Sequence, residues 1–538
     1  MNNSLPTPSQ LLGAGTFTEW YPGQYDLLSQ TLDWYYSPQR FLGLAVPTGA
    51  GKSVSALLLS RLSGARTVIL TATKGLQEQY QRDAAQLGGV LVKGQNNFPC
   101  LLVKDLRADE GPCHDGNSCE LREQCPYRVQ LRAALSSKLV ITNYAYWLAQ
   151  CNFSSGLGEF GLAVLDEGHQ CFGAMENYLT IFLSRMDVQS MGLHFPESAI
   201  AGADALADLW TAWKTWAVGA LPAADDYLAD LEEQIKSYRS RNQLVPGGLS
   251  RVYRSARSTQ AKLSRLATVN EFWVVQQTYH GYRFVPKWVS NYSAHLFGKI
   301  PKVVVMSAIL SPRTADYIGI PSNGDRAWIE MDSHFPPENT PIWHIPTARI
   351  NYRTDDYGST LWATRIDQII RRRLDRKGIV FTVSYERAKM LVSRSDYKGI
   401  MLTHSTGDVV QVVERFKKMP APAVLVSPSV TTGYDFPMDK SPDGKPQYII
   451  IGKIPYPDTK DPVTHARQED DKEWSSFMAM ETLVQSCGRM SRSFDDKTEV
   501  IVVDDVWKWW WPAHKLFAPS WFRVRVKGSK NSVFDPLF

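Results

Sequence analysis

The chain has 538 residues, 44% of them hydrophobic and 21% charged, with a formal net charge of +5. That length exceeds one ordinary core and predicts two to four domains, while the composition is that of a soluble globular protein, excludes a disordered chain, and carries a mild charge that tolerates a polyanionic partner without arguing for one. No apolar run reaches the roughly 18 residues of a membrane helix, and the opening MNNSLPTPSQLLGAG lacks the basic-then-apolar layout of a secretion signal, so a cytoplasmic location is expected.

In chain order, an aromatic segment WYPGQY (20–25) precedes the apolar run FLGLAV (41–46), which enters Pro47-Thr48-Gly49-Ala50-Gly51-Lys52-Ser53 and a helix-like SVSALLLSRL. TVILTAT (67–73), KLVITN (138–143) and GLAVLDE (161–167) are further short β-rich runs separated by helix-compatible sequence, the rhythm of a parallel sheet with crossover helices. Between 92 and 137 that rhythm breaks into polar, Gly-rich sequence that reads as an insertion. Cys100, Cys113, Cys119 and Cys125 fall inside it, whereas Cys151, Cys171 and Cys487 are scattered. In a chain without an export signal such a cluster predicts a metal site rather than disulfides, and its spacing leaves zinc and iron–sulfur both open.

From about 186 to 270 the pattern turns helical: ADALADLWTAWKTW and DDYLADLEEQIKSYRSR place apolar residues three and four apart, ahead of a VPGG break at 245–248. VVVMSAIL (303–310) resumes the first sheet. A second α/β series follows in GIVFTVS (378–384), AVLVSPS (423–429), QYIIIGKI (447–454) and EVIVVDD (499–505). The basic clusters RRRLDRK (371–377) and RVRVK (523–527) read as solvated faces, and Trp507, Trp509, Trp510 and Trp511 as packing at a domain edge. Tyr144 and Tyr146 are candidates for base stacking. No internal repeat or low-complexity tract is present.

The chemistry concentrates in three places. A strand–loop–helix carrying GAGKS turns backbone N–H groups toward one point. Gly49 and Gly51 permit close approach of a phosphate, Lys52 reaches its charge, and the Ser53 hydroxyl suits magnesium. Position 46 is valine where the full phosphate-loop pattern has glycine. The strand LAVLDEGH delivers Asp166 to hold magnesium through water and Glu167 to orient and deprotonate an attacking water, as ATP hydrolysis requires. In ETLVQSCGRMSRS a helix would put Gln485, Arg489 and Arg492 on one face, with guanidinium groups placed to stabilise a transferring phosphoryl.

In this order the segments resemble the iron–sulfur helicases of superfamily two, typified by XPD and bacterial DinG. The matching segments are WYPGQY, VPTGAGKS, TATKGLQEQY (71–80), VITNYAYWL (140–148), DEGH, VVVMSAILSP, GIVFTVSYERAKML (378–391), TTGYDFP (431–437), IIIGKIPYPDTKDP (449–462) and QSCGRMSR, spanning about residues 20–510. The resemblance implies an α/β fold of two RecA-like parallel-sheet motors. It implies a [4Fe–4S] cluster on Cys100, Cys113, Cys119 and Cys125, and a helical arch-like insertion that forms, with the cluster domain, a pore for single-stranded DNA. The expected divisions are motor 1 at 1–95, 138–185 and 288–335, cluster domain at 96–137, arch-like domain at 186–287 and motor 2 at 336–538.

ATP and magnesium would be held by Gln24 (reading adenine), Thr48, Gly49, Gly51, Lys52, Ser53, Asp166 and His169 of motor 1, with Gly433 and Asp435 of motor 2. Lys52, Asp166, Glu167, Gln485, Arg489 and Arg492 would carry catalysis. The family implies 5′ to 3′ translocation of a monomer, nucleoid-associated, on single-stranded and forked DNA. Alternatives are RNA–DNA hybrids, a protein-displacing translocase or a scaffold with a degenerate motor; no membrane partner is expected. Ile309 stands where the family has threonine, Ala45 where many relatives have a carboxylate, and Gly168 where they have alanine, an exchange expected to be neutral.

Overall fold

The computed structural model describes residues 5–13, 18–111, 113, 119–153, 156–202, 206–241, 243, 245–351, 353–430, 434, 436, 447–490 and 496–529, with side chains of 151–153 left out. Its first half carries strands β1 (Phe41–Ala45), β2 (Thr67–Thr71), β3 (Val90–Leu91), β4 (Leu139–Asn143) and β5 (Leu162–Asp166). There follow β6 (Ile181–Ser184), β7 (Trp273–Thr278) and β8 (Gly281–Pro286), then β9 (Lys302–Ser307) and β10 (Arg326–Glu330). Seven of these form a parallel sheet in the order β10-β1-β9-β5-β2-β4-β3.

Strand alternation explains why β1, β2 and β5 are buried along their whole length. Leu42, Leu44, Ile69 and Val164 face one way, onto Leu27, Leu28, Leu57 and Leu58 of the helices Gln24–Tyr36 and Lys52–Ser63. Phe41, Val68, Leu70 and Leu165 face the other, in one core with Trp147, Met175 and the helices beyond.

The second half repeats the plan with β11 (Ile342–Ala348), β12 (Lys377–Phe381), β13 (Met401–Leu402), β14 (Ala423–Ser427), β15 (Gln447–Ile451), β16 (Thr498–Asp504) and β17 (Val526–Ser529). These form a second seven-stranded parallel sheet in the order β13-β14-β12-β15-β16-β11-β17. Two doubly covered parallel sheets are thus present. The expectation of two RecA-like motors agrees with them.

The stretch 186–287 is only partly helical. Helices Leu206–Ser240 and Gly247–Leu266 pack as an antiparallel hairpin, cross-linked by Tyr253 Oη to Glu232 at 2.9 Å and Gln260 Nε2 to Asp225 at 3.0 Å. WVVQQTYHGYRFVP, by contrast, forms the antiparallel pair β7–β8, which joins β6 in a three-stranded sheet. Its β-branched and aromatic residues around a Tyr279-His280-Gly281 turn carry the strand signal. The packing of Trp213 against Tyr282 and Phe284, with centroids 4.8 Å away in each case, ties the long helix onto it. No helix among the described residues is long and apolar enough to cross a membrane.

The two motors touch through a charged seam. Arg467 of the helix Pro462–Asp470 is buried against Glu176 and donates to the Lys287 carbonyl at 2.7 Å. Arg313 pairs with Asp471 at 2.6 Å and with Glu473 at 2.9 Å. Beside these lies Glu481, buried, its carboxyl accepting from Thr314 Oγ1 at 2.9 Å. Burial pushes its carboxyl from 4.5 up to about 8. The folded chain therefore holds a proton there that the unfolded chain has lost, so stability should fall as pH rises from about 4.5 through about 8. Glu481→Gln should flatten that slope in melting curves taken across this range; an unchanged slope would refute the assignment.

Candidate active site

The predicted nucleotide-site residues of the first half, Thr48 to Ser53, Asp166, Glu167 and His169, gather at the C-terminal ends of β1, β5 and β9, neighbours in the order β1-β9-β5. Open parallel sheets bind ligands at this edge. The loop after β1 holds Gly49 at φ +82° and Gly51 at φ +77°, left-handed conformations that glycine adopts without strain. Gly51 caps the helix Lys52–Ser63, so Lys52 and Ser53 open its first turn beside the half-buried Thr48. Lys52 Nζ donates to the carbonyls of Val46 and Pro47, each at 3.2 Å, folded over its own loop.

Gln24 is fully buried and braces this loop. Its Nε2 donates to the Gly51 carbonyl at 3.2 Å and lies 3.4 Å from Ser55 Oγ, while its Oε1 accepts from the Tyr21 N–H at 3.1 Å. Across β9, the Val46 N–H donates to the Ser307 carbonyl at 3.1 Å.

Asp166 ends β5 fully buried, with Oδ1 accepting from the Glu167 N–H at 2.8 Å and Oδ2 from Tyr80 Oη at 2.9 Å. Tyr144 Oη donates to the Asp166 carbonyl at 2.7 Å. Burial, then the neighbouring Glu167, pushes the Asp166 carboxyl upward; Lys52 and Tyr80 oppose that shift. Glu167 sits at φ +54°, a left-handed conformation uncommon for a residue with a side chain and the kind of strain that collects at working sites.

His169 Nδ1 lies 2.7 Å from Ser307 Oγ, joining the end of β5 to the end of β9. Burial first, then the charges of Arg489 and Lys52, lower its pKa to about 4, against an opposing pull from Glu167. The imidazole is therefore neutral near pH 7, and Glu167 Oε2 at 3.5 Å makes no ion pair with it.

Gly168 corrects one expectation. A Cβ built there would lie 2.2 Å from Val305 Cγ1, on a stiff β-branched side chain in a central strand. Alanine is not interchangeable with glycine here. Gly168→Ala should destabilise by roughly 1–3 kcal/mol and lower ATP turnover, and adding Val305→Ala should recover part of both. Melting curves and turnover of the single and double variants check this; additive losses would count against the clash.

From the second motor, Arg489 approaches the same centre, close enough for its charge to act on His169. Its Nε donates to the Gln485 carbonyl at 3.3 Å and its Nη1 to the Tyr434 carbonyl at 3.2 Å. The expected single helical face for Gln485, Arg489 and Arg492 needs correction. The helix Trp474–Cys487 ends before Arg489, capped by Gly488, whose N–H turns back to the carbonyls of Gln485 and Ser486. Gln485 is half-buried in the last turn, and Arg489 stands in the turn that follows. Arg492, Gly433 and Asp435 lie outside the described residues.

The loop after β9 also bridges the motors. Ile309 is buried within the core of the second domain among Ile342, Phe381 and Val430, and the Ala308 carbonyl accepts from Trp521 Nε1 at 3.2 Å. Where the related motif has a threonine hydroxyl, this chain makes an apolar contact.

Residues 369–523 match the Helicase C-terminal domain family. Among solved structures, an XPD helicase superposes with a TM-score of 0.64 at 15% identity, over 95% of this chain and 99% of that chain. Xpd4 of S. tokodaii gives 0.58 at 15% identity, over 94% and 99%. An apo XPD structure gives 0.59 at 14% identity, over 94% and 100%. The chain has the XPD helicase fold. No curated protein sequence matches it.

Within this helicase fold, Cys100, Cys113, Cys119 and Cys125 share one neighbourhood. The Cys113 thiol is raised by partial burial and by Cys119, Cys100 and Cys125 around it. A Cβ built on Gly111 would meet Cys100 Sγ at 3.2 Å and Cys113 Sγ at 3.7 Å. Cys125 precedes the helix Pro126–Ser136 as its N-cap, and the Cys100 N–H donates to the Leu106 carbonyl at 2.8 Å. No group of three or more His, Cys, Asp or Glu among the described residues is arranged to hold a single metal ion.

Tyr144 and Tyr146 are buried, the latter 3.1 Å from Tyr127 Oη, which removes both as base-stacking candidates. Trp507 and Trp511 stack on each other at 4.9 Å and Trp510 is fully buried, in keeping with edge packing. Sequence reasoning missed Tyr80. Its spacing on the helix Lys74–Asp83 marks it only as a core-facing aromatic.

Proposed function

We propose that this protein is an ATP-driven helicase that translocates 5′ to 3′ on single-stranded DNA and unwinds forked duplexes. The carrying observation is that the loop holding Lys52, the β5 end with Asp166 and Glu167, and His169 bonded to Ser307 form one centre at the edge of the first sheet, with Arg489 of the second motor, remote in sequence, near enough for its charge to oppose protonation of His169. A triphosphate bound there would be gripped from both sides: Thr48, Gly49, Gly51, Lys52 and Ser53 on its phosphates, and Arg489 with Gln485, Arg492, Gly433 and Asp435 opposite. Gln24 would meet adenine while bracing the loop.

Magnesium would sit at Ser53 and Asp166, neutralising phosphate charge. Glu167 would take a proton from the attacking water, and Arg489 would stabilise the charge on the transferring phosphoryl. Loss of the γ-phosphate releases the grip that both domains share, so the cleft would open once per cycle and step the protein along the strand.

Four thiolates suit a [4Fe–4S] cluster, held by Cys100, Cys113, Cys119 and Cys125 and organising the strand guide at 96–137. DNA as substrate and the direction of travel rest on the order of motifs. Forked duplexes with only a 5′ or only a 3′ tail, with and without ATP, test the reading. Unwinding confined to 5′-tailed forks supports it, and unwinding of 3′-tailed forks alone would overturn the polarity.

The burial of Ile309 in the second motor favours one alternative, a translocase that strips bound proteins without opening duplex. ATP-dependent displacement of a protein roadblock, with no unwinding of either fork, would select it.

A further inference from the structure

Tyr80 lies against Asp166, yet none of the assigned roles accounts for it. It is completely buried, on a helix whose other buried member is Gln77. Phenylalanine or leucine would fill such a space without bringing a polar atom to it, and a buried hydroxyl is costly unless it is used. Here the hydroxyl donates to Asp166 Oδ2 at 2.9 Å. It therefore holds the carboxylate expected to bind magnesium from a third element, one that belongs to neither the phosphate loop nor β5.

Among the described residues the Asp166 carboxylate has two donors, the Glu167 N–H on Oδ1 at 2.8 Å and Tyr80 on Oδ2. Two donors on different oxygens fix the plane of the group and leave each oxygen a lone pair for metal-bound water. The Glu167 N–H is bonded to the neighbouring residue of the same chain segment and cannot set that plane alone. Tyr144 holds only the Asp166 carbonyl.

We propose that Tyr80 is a positioning residue for magnesium: its hydroxyl holds the Asp166 carboxylate in metal-binding orientation. This rests on the ATPase reading above and adds a residue to it. Partners that orient metal ligands typically change metal affinity by about 10–100-fold when removed.

The test is Tyr80→Phe in the full chain, which keeps the ring and deletes the hydroxyl. Binding of a fluorescent, non-hydrolysable ATP analogue is titrated with magnesium, and manganese binding in the presence of the analogue is followed by electron paramagnetic resonance. Half-saturating magnesium should rise about tenfold, with a matching loss of manganese affinity, while metal-free analogue binding and the melting temperature stay at wild-type values. Turnover should then recover most of the wild-type kcat once magnesium saturates. Magnesium and manganese curves superimposable on wild type would overturn the proposal and leave Tyr80 as core. Reduced kcat at every magnesium concentration, with unchanged metal affinity, would overturn it too, moving the hydroxyl to the chemical step. Lys52→Ala measured in parallel separates the two ideas: wild-type analogue binding and turnover in that variant would defeat the ATPase reading itself, whatever Tyr80 does.

Discussion

Lys52→Ala and Glu167→Gln should each abolish nucleic-acid-stimulated ATP hydrolysis while leaving the protein folded. Lys52 opens the helix Lys52–Ser63 and, among the described residues, hydrogen-bonds to carbonyls of its own loop, Val46 and Pro47, so its removal leaves the packing beneath intact. Beneath it, Leu57 and Leu58 hold the helix to the sheet. What is lost is the cation for the phosphates. In Glu167→Gln the shape is kept and the base is lost. A positioned general base contributes about 10²–10⁴-fold, so turnover should drop at least that far. Melting curves should overlay those of the unaltered protein, and phosphate release with and without single-stranded DNA gives the readout. Continued turnover in both variants would remove the assigned site.

The second large effect concerns the cysteine segment. Protein purified without oxygen should be brown, with broad absorbance in the visible blue and iron and sulfide bound. Cys113→Ser should lose the colour and the iron. The structure gives the reason to expect a local collapse as well. Leu101 and Leu102 are exposed, and a segment this short cannot bury enough apolar surface to fold by itself without a metal or another cross-link. Residues 96–137 should therefore become protease-sensitive in Cys113→Ser while both motors keep their melting transitions. Colourless protein carrying zinc would refute the cluster, and wild-type protease resistance in the variant would show that the segment needs no cross-link.

The motors were readable because parallel strands covered on both faces must be continuously apolar. FLGLAV, GLAVLDE, QYIIIGKI and EVIVVDD could hardly be anything else, and each became a central strand. Edge strands carry weaker signals. Arg326–Glu330 is half-exposed, and Val90–Leu91 and Met401–Leu402 have two residues each, too few to show a period. WVVQQTYHGYRFVP had a legible hairpin pattern, which the strong helical periodicity before it overshadowed.

At the site, glycine, lysine and acid residues at strand ends declared phosphate chemistry by local spacing alone. Residue types and their order are all that such a motif needs, so Lys52, Ser53, Asp166 and Glu167 are legible in the sequence alone. Local spacing also misled: Gly488 ends a helix that periodicity would have carried through to Arg489. Contacts between remote segments had no counterpart in the sequence. The Tyr80 hydroxyl on Asp166, the clash that excludes alanine at 168 because Val305 is beside it, and Ile309 in the other motor's core depend on strand order and on how two domains dock. Sequence determines what each segment can do, since propensity and polarity act over a few residues. Only the tertiary fold decides which segments meet, because a hydroxyl acquires its role from the group that packing brings within hydrogen-bonding distance.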